Sequence, residues 1–296
     1  DSTCQEDYTH RVIYSDPNKW RIYKPISYFD FPKNYGSLTS IDTIDNSQIL
    51  VRFENKSYLY NALTAIQTTS GKYAYLGNDD VFKAQPIDFG ETDLGYAGSQ
   101  NHLLLKTEAG HLFIDAKRSG IFLVNGSGVT NIADAGMSKW LDRNMPFRIK
   151  DYFPDINIDN HFAGVGLTGV WDNRYSRFLI TKLDYAPVNQ YKDGITYDRY
   201  YGKFYYKNAE ILLDDPKYFC NKSWTLSYHP GTKSWISFHS YIPNFYIGLN
   251  GIFLTGKNNT FSNQKSSVWI HNLIQTSYQT FYGKLEPYIL EYPFAF

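Results

Sequence analysis

The residues best equipped for chemistry in this 296-residue chain are seven histidines, two cysteines and the acid pairs Asp79-Asp80 and Asp214-Asp215. General acid–base work needs two carboxylates facing one substrate. Neighbours on a strand point to opposite faces, and both pairs lie beside turn residues, so they read as acids that cap turn backbone. His229 and His239 fall in one expected hairpin and His271 on a later strand. No His-x-x-x-His, Cys-x-x-Cys or carboxylate–histidine cluster accompanies them, so neither a metal nor a cofactor is expected. Cys4 and Cys220 are too few for a disulfide scaffold and read as unpaired thiols. Gly126-Ser127-Gly128 is a loop, Gly95-Tyr96-Ala97-Gly98-Ser99 has the wrong spacing for a nucleophile elbow, and no phosphate-cradling loop occurs. The expectation is a protein that is not an enzyme.

One turn keeps a glycosidase in view. Ser227-Tyr228-His229-Pro230-Gly231-Thr232-Lys233-Ser234-Trp235 is similar to the Asp-box of sialidase-type propellers, with His229 at the Asp position. A sialidase also needs an arginine triad, for which Arg52, Arg118, Arg174 and Arg177 are available, and a Tyr/Glu nucleophile pair. Binding sugar without cleaving it needs only aromatic platforms. Trp171, Tyr175, Trp235 and Tyr241 are the candidates for surface stacking, and packing inside a sheet is the other reading of all four.

Composition sets the frame for these residues. The chain is 43% hydrophobic and 18% aromatic, with 27 Tyr and 20 Phe, which suits pleated, half-buried sheet surfaces. The tyrosine excess reads either as strand surface in an AT-rich gene or as an assembly surface, since aromatics are enriched in interface cores. Lys+Arg and Asp+Glu both number 29, and no basic stretch occurs, so nucleic acid is not expected as the main ligand. No apolar run is long enough to span a bilayer. The chain begins at Asp1 without Met and ends at Phe296, so a piece of a longer polypeptide is expected.

Short extended runs separated by turn signals fill the sequence, at 10–14, 48–54, 57–60, 164–171, 177–183, 203–207, 210–213, 223–228, 234–241, 268–271 and 288–292. A second strand of the first hairpin is expected at 20–23, and 71–76 leads into the turn Gly77-Asn78-Asp79-Asp80. The string Gly120-Ile121-Phe122-Leu123 recurs as Gly251-Ile252-Phe253-Leu254, each time after two strand-like runs joined by a turn. Such a recurrence points to one repeated strand of an all-β propeller. At roughly 40–50 residues per blade the chain holds about six or seven four-stranded blades, some incomplete. The one helix expected is 133–144, with Asp134 as N-cap. Segment 57–66 reads equally as strand or helix. Two inserted loops, 86–100 and 185–201, are expected to carry binding or assembly.

At these hairpins the chain resembles the large propeller-bearing tail structural proteins (muzzle or stabilisation proteins) of crAss-like short-tailed bacteriophages. The marks, in order, are Arg11-Val12-Ile13-Tyr14-Ser15, Leu50-Val51-Arg52-Phe53-Glu54-Asn55, Tyr75 to Phe82, Gly95 to Gln100, Gly136-Met137-Ser138-Lys139-Trp140, Trp171 to Phe178, and Ser223 through Pro243. The resemblance runs through most of 1–296 and implies a non-enzymatic virion component. It would form a ring-like homo-oligomer around the tail axis, touch neighbouring tail proteins and sit where the tail channel could be gated. It would be assembled in the bacterial cytoplasm. Host-surface carbohydrate binding is the alternative.

Overall fold

The computed structural model describes residues 8–15, 19–44, 48–61, 63–67, 73–77, 81–83, 86–88, 103–116, 118–125, 128–249, 251–257, 267–271 and 289–291. The fold is all-β, a series of small antiparallel sheets of two to four strands. Strands β1 (Arg11–Ser15) and β2 (Tyr23–Asp30) form a two-stranded hairpin. Residues 20–22 therefore belong to its connection and not to the second strand. Next come β3 (Leu38–Thr43), β4 (Gln48–Phe53) and β5 (Ser57–Asn61), then a separate hairpin of β6 (Leu63–Gln67) and β7 (Tyr73–Gly77), and then β8 (Ile87–Asp88), which returns to pair with β5. Residues 57–61 and 63–66 are thus strand, and the turn at 78–80 and the region 89–100 lie outside the described residues.

Strands β9 (Leu104–Thr107), β10 (Gly110–Asp115), β11 (Gly120–Asn125) and β12 (Gly128–Asn131) form a plain four-stranded meander. Helix α1 (Ser138–Asn144) follows. It starts later than the sequence suggests, because Gly136 takes φ +88° and splits the segment. Residues 132–134 form a separate 3-10 turn capped by Asn131, whose side chain accepts from Ala133 N. Asp134 accepts from the Ser138 hydroxyl, so it ties the two pieces together and is not an N-cap.

Strands β13 (Gly166–Asp172) and β14 (Arg177–Leu183) begin a second meander that β20 (Trp224–His229) and β21 (Ser234–His239) complete. Between them lie β15 (Tyr185–Pro187), which pairs with β19 (Phe219–Asn221), and a three-stranded meander of β16 (Ile195–Asp198), β17 (Lys203–Tyr206) and β18 (Ala209–Ile211). The segment 185–201 lies between β14 and β20, which pair, and it carries β15 and β16. Its alternation is hard to read because each short strand buries few side chains, chiefly Ile195, Phe204 and Ile211. Last come β22 (Phe245–Gly248), β23 (Phe253–Lys257), β24 (Ser267–His271) and β25 (Ile289–Glu291), another meander.

The doubled string occupies different places. Gly120–Leu123 lies in β11, the third strand of its sheet. In the second copy Gly251 turns at φ +80° and Phe253-Leu254 begins β23, the second strand of the last sheet. The hairpin before it, β20–β21, belongs to the preceding sheet. A shared string and a preceding hairpin do not establish an equivalent position when insertions move the sheet boundaries.

The four-stranded sheets pack face to face in chain order. Val12 and Phe29 of the first hairpin lie against Val51 and Phe53 of β4. From the other face of β4, Arg52 lies 5.2 Å from the Phe113 ring of β10. Leu112, Ile114, Ile121 and Leu123 share the main core with Leu167, Phe178, Ile180 and Leu226. Val170 and Leu179 pack on Phe253 and Tyr246 of the last sheet. The contact between the second and third of these sheets is tight. A Cβ on Gly169 would lie 2.8 Å from Leu103 Cδ1 and 2.6 Å from the Leu179 carbonyl. Among the described residues no closed barrel or propeller ring forms, and the four-stranded sheets number four, not six or seven.

Candidate functional site

The four candidate aromatics are held very differently. Trp171, at the end of β13, pairs across the ladder with Phe178, ring centroids 4.7 Å apart, and packs on the main core. Trp235 on β21 also packs there; its Nε1–H donates to the Ile132 carbonyl at 3.0 Å, and its ring meets Tyr228 at 5.2 Å. Both indoles join sheets to the core and offer little free face. Tyr175 stands on the β13–β14 turn and is 51% exposed, with the Arg177 guanidinium 4.9 Å from its ring. Beneath it the buried Asp172 carboxylate accepts from Arg174 N at 3.2 Å and Arg177 Nε at 2.9 Å. Tyr241 follows β21 and lies between two imidazoles, 5.2 Å from His239 and 5.3 Å from His271. Burial pushes its phenol up to about 12.

Tyr241 belongs to a polar joint between the β13–β21 sheet and the last sheet. The Thr181 hydroxyl meets the Thr225 hydroxyl at 2.7 Å and the Tyr246 hydroxyl at 2.6 Å. The Thr225 hydroxyl donates to the Tyr241 carbonyl at 2.7 Å. Thr255 Oγ1 lies 2.8 Å from His271 Nε2, and the His271 ring stacks on Phe253 at 4.4 Å. Ser237 Oγ lies 3.3 Å from His239 Nε2. A hydroxyl beside an imidazole is half of a nucleophile site, which further needs a third group that orients the base and donors for an oxyanion. Here the nearby Asp172 takes the Arg174 and Arg177 N–H groups. The joint is a network that satisfies buried polar groups between two sheets.

This joint is expected to make the fold sensitive to acid. Burial, the largest cause, holds the His239 and His271 imidazoles below their ordinary pKa; Asp172 opposes the shift and Arg177 reinforces it. Because the unfolded imidazoles bind protons more readily, their contribution is full above the ordinary value near 6.5 and is lost as pH falls through the lower folded values. Thermal melts from pH ~7.5 to ~5 should show falling stability. The fall should shrink in His239→Gln, and an unchanged fall would remove His239 from this role.

A second polar joint lies between the sheets built on β4 and β10. Arg52 is fully buried; its Nε donates to Ser40 Oγ and its Nη2 to Asp42 Oδ2, both at 2.8 Å. Burial lowers its pKa, and Asp42 opposes that. His111 sits nearby with its pKa lowered by burial. The sialidase-like arginines are thus each tied locally: Arg52 to Asp42, Arg118 to Asp115 at 3.8 Å, Arg177 to Asp172, with Arg174 over Tyr175. In the Asp-box-like turn, His229 Nδ1 accepts from Thr232 N at 3.0 Å, doing the capping work of an aspartate. Among the described residues no group of three His, Cys, Asp or Glu side chains could hold a metal, and no helix is long and apolar enough to cross a membrane. Cys220 is exposed on β19, and Cys4 lies outside the described residues.

The sequence reading missed the most exposed rings. Tyr200 and Tyr201, on the β16–β17 turn, are 88% and 66% exposed. Trp20, Ile26 and Tyr28 stand out on the first hairpin, and Phe162, Ile247 and Leu249 beside the last sheet. The Asp-x-Tyr-Tyr-Gly pattern of 198–202 is a turn signal that would have found the tyrosine pair. Compared with known protein families and with curated proteins, the chain matches no family model and none of those proteins.

Proposed function

We propose that the chain is a non-enzymatic structural module of a bacteriophage tail, an arc of β-propeller blades that assembles with further copies and with neighbouring tail proteins around the tail axis. The observation that carries this reading is the face-to-face series of four-stranded sheets, which leaves apolar side chains uncovered at both ends: Ile13, Ile26 and Tyr28 on the first hairpin, Ile247 and Leu249 on the last sheet. Blade-on-blade packing of this kind gives rigidity, since each unit is held by its neighbours. Thr181, Thr225, Tyr246 and the Arg52 Nε and Nη2 groups are drawn into structural bonds between and within the sheets, and arginines tied to separate carboxylates give a glycosidase no support. The assignment to a tail rests on the sequence resemblance. Mass spectrometry of purified virions tests it: peptides of this chain should be recovered from the tail, and their absence from complete virions overturns the reading. Carbohydrate binding is the second reading, favoured by the exposed tyrosines.

A further inference from the structure

The insertion 184–223 carries two features that the structural role does not use. The first is the turn between β16 and β17. Asp198 Oδ1 accepts from Tyr200 N at 2.8 Å and Tyr201 N at 3.1 Å, and Gly202 closes the turn at φ +63°. The two tyrosine rings meet edge to face at 4.9 Å and stand in water. Exposed rings add little to the core, yet this turn fixes their backbone. The platform below is rigid, because Tyr197 and Phe204 pack on each other at 4.9 Å and Phe204 packs on Phe153 and Phe219, each at 5.1 Å.

The second feature is a cavity of about 90 Å³ that the same turn helps to wall through Gly202 and Lys203. Ile156, Val165 and Leu213 make its apolar lining, and Asn160, Lys203 and Glu210 supply polar groups. Lys203 Nζ and Glu210 Oε2 pair at 2.8 Å, each side chain 41% exposed, so both remain within reach of a ligand. A cavity of this size has room for about three waters, enough for one hydroxymethyl or acetamido arm but not for a whole sugar ring.

A pyranose presents an apolar C–H face suited to an aromatic ring and hydroxyls suited to amide, carboxylate and ammonium groups. We propose that the 198–203 turn and its cavity form a subsite for one glycosyl residue, with the ring against the tyrosine pair, one substituent arm in the cavity, and hydroxyls on Glu210, Lys203 and Asn160. A prefixed turn lowers the ordering cost of binding. This site is distinct from Trp171, Tyr175, Trp235 and Tyr241 and does not depend on the tail assignment.

The purified chain should be applied to an array of immobilised hexose, N-acetylhexosamine and sialic acid glycans, with saturation-transfer NMR using the corresponding methyl glycosides at roughly 10 mM, enough to read a millimolar Kd. A defined subset of glycans should bind. The double variant Tyr200→Ala/Tyr201→Ala, and separately Glu210→Gln, should each weaken binding by about tenfold or more with unchanged melting temperature, as expected for exposed anchor residues. Tyr175→Ala should bind like the unaltered chain. No binding in either assay, binding that survives the double variant, or binding lost only in Tyr175→Ala would each overturn the proposal, and none of these outcomes bears on whether the chain is found in virions.

Discussion

Replacing Asp184 with Ala is expected to cost about 3–5 kcal/mol of stability, because it strands a buried cation and the backbone donors around it. Asp184 is 0% and Lys182 1% exposed. Lys182 Nζ donates to Asp184 Oδ2 at 2.7 Å and to the Asn144 and Pro146 carbonyls, both at 2.8 Å. Asp184 accepts in addition from the backbone N–H of Arg148, Ile149 and Tyr185. The pair pins the end of β14 to the last turn of α1 and to the chain leaving it, and Trp224 Nε1 donates to the same Asn144 carbonyl. Burial pulls the Lys182 pKa down, and Asp184 opposes that shift most strongly. The two partners are not equivalent. Lys182→Met leaves a carboxylate that still holds three N–H groups, so it should cost less than Asp184→Ala. Asp184→Asn keeps an acceptor oxygen and should fall between them. Urea unfolding checks the order. Whole domains are stable by about 5–15 kcal/mol, so the alanine variant loses a large share. If Lys182→Met proves as damaging as Asp184→Ala, the backbone donors are not what the carboxylate serves.

Nothing in the sequence marks that pair. Two charges at i and i+2 on a strand read as a solvated face, and only the packing of α1 and the insertion over them makes them buried. Hairpins were legible because turn residues and apolar alternation are local signals: 177–183 is β14 as expected, and 268–271 and 288–292 fall on β24 and β25, which pair. Which hairpins share a sheet was not legible. The pairing of β5 with β8 skips a whole hairpin, and that of β14 with β20 skips the insertion. Trp171 and Trp235 show the same limit at side-chain level, since the partner of the Trp235 indole lies 103 residues away. Tyr200 and Tyr201 were concealed for the opposite reason. Their turn is local and readable, but it sits in a segment expected to be all loop, where no residue stands out.

Ile26→Glu and Ile247→Glu are each expected to abolish self-association, and a one-to-one mixture of the two variants is expected to restore one interface. The reason lies in the two ends of the sheet series. The first hairpin has two strands where the sheets in the series have four, and Ile26, 81% exposed, projects from it beside Ile13 and Tyr28. At the far end Ile247, 46% exposed, is followed at i+2 by the exposed Leu249, and the exposed Phe162 stacks on Phe245 of the same strand at 6.0 Å. Inside the chain successive sheets cover one another through Leu112, Ile114, Leu167 and Phe178 and through Val170, Leu179 and Phe253, although Ile236 and Phe238 of β21 stay exposed, so a sheet of the same kind would suit each end. A second copy supplies it head to tail. Contacts of that type are heterologous and continue until a ring closes or a filament grows. A copy carrying Ile26→Glu keeps its last-sheet face, and one carrying Ile247→Glu keeps its hairpin, so together they form a dimer and stop. Sedimentation velocity reads this directly. If Ile26→Glu abolishes association while Ile247→Glu leaves it intact, hairpins pair with hairpins and the contact is isologous. If the unaltered chain is monomeric at roughly 100 μM, where a specific interface of standard size holds, the ends are covered by something other than a second copy. Neither glutamate enters a core, so both variants should keep the melting temperature of the unaltered monomer, and a drop in it would assign the loss of assembly to misfolding.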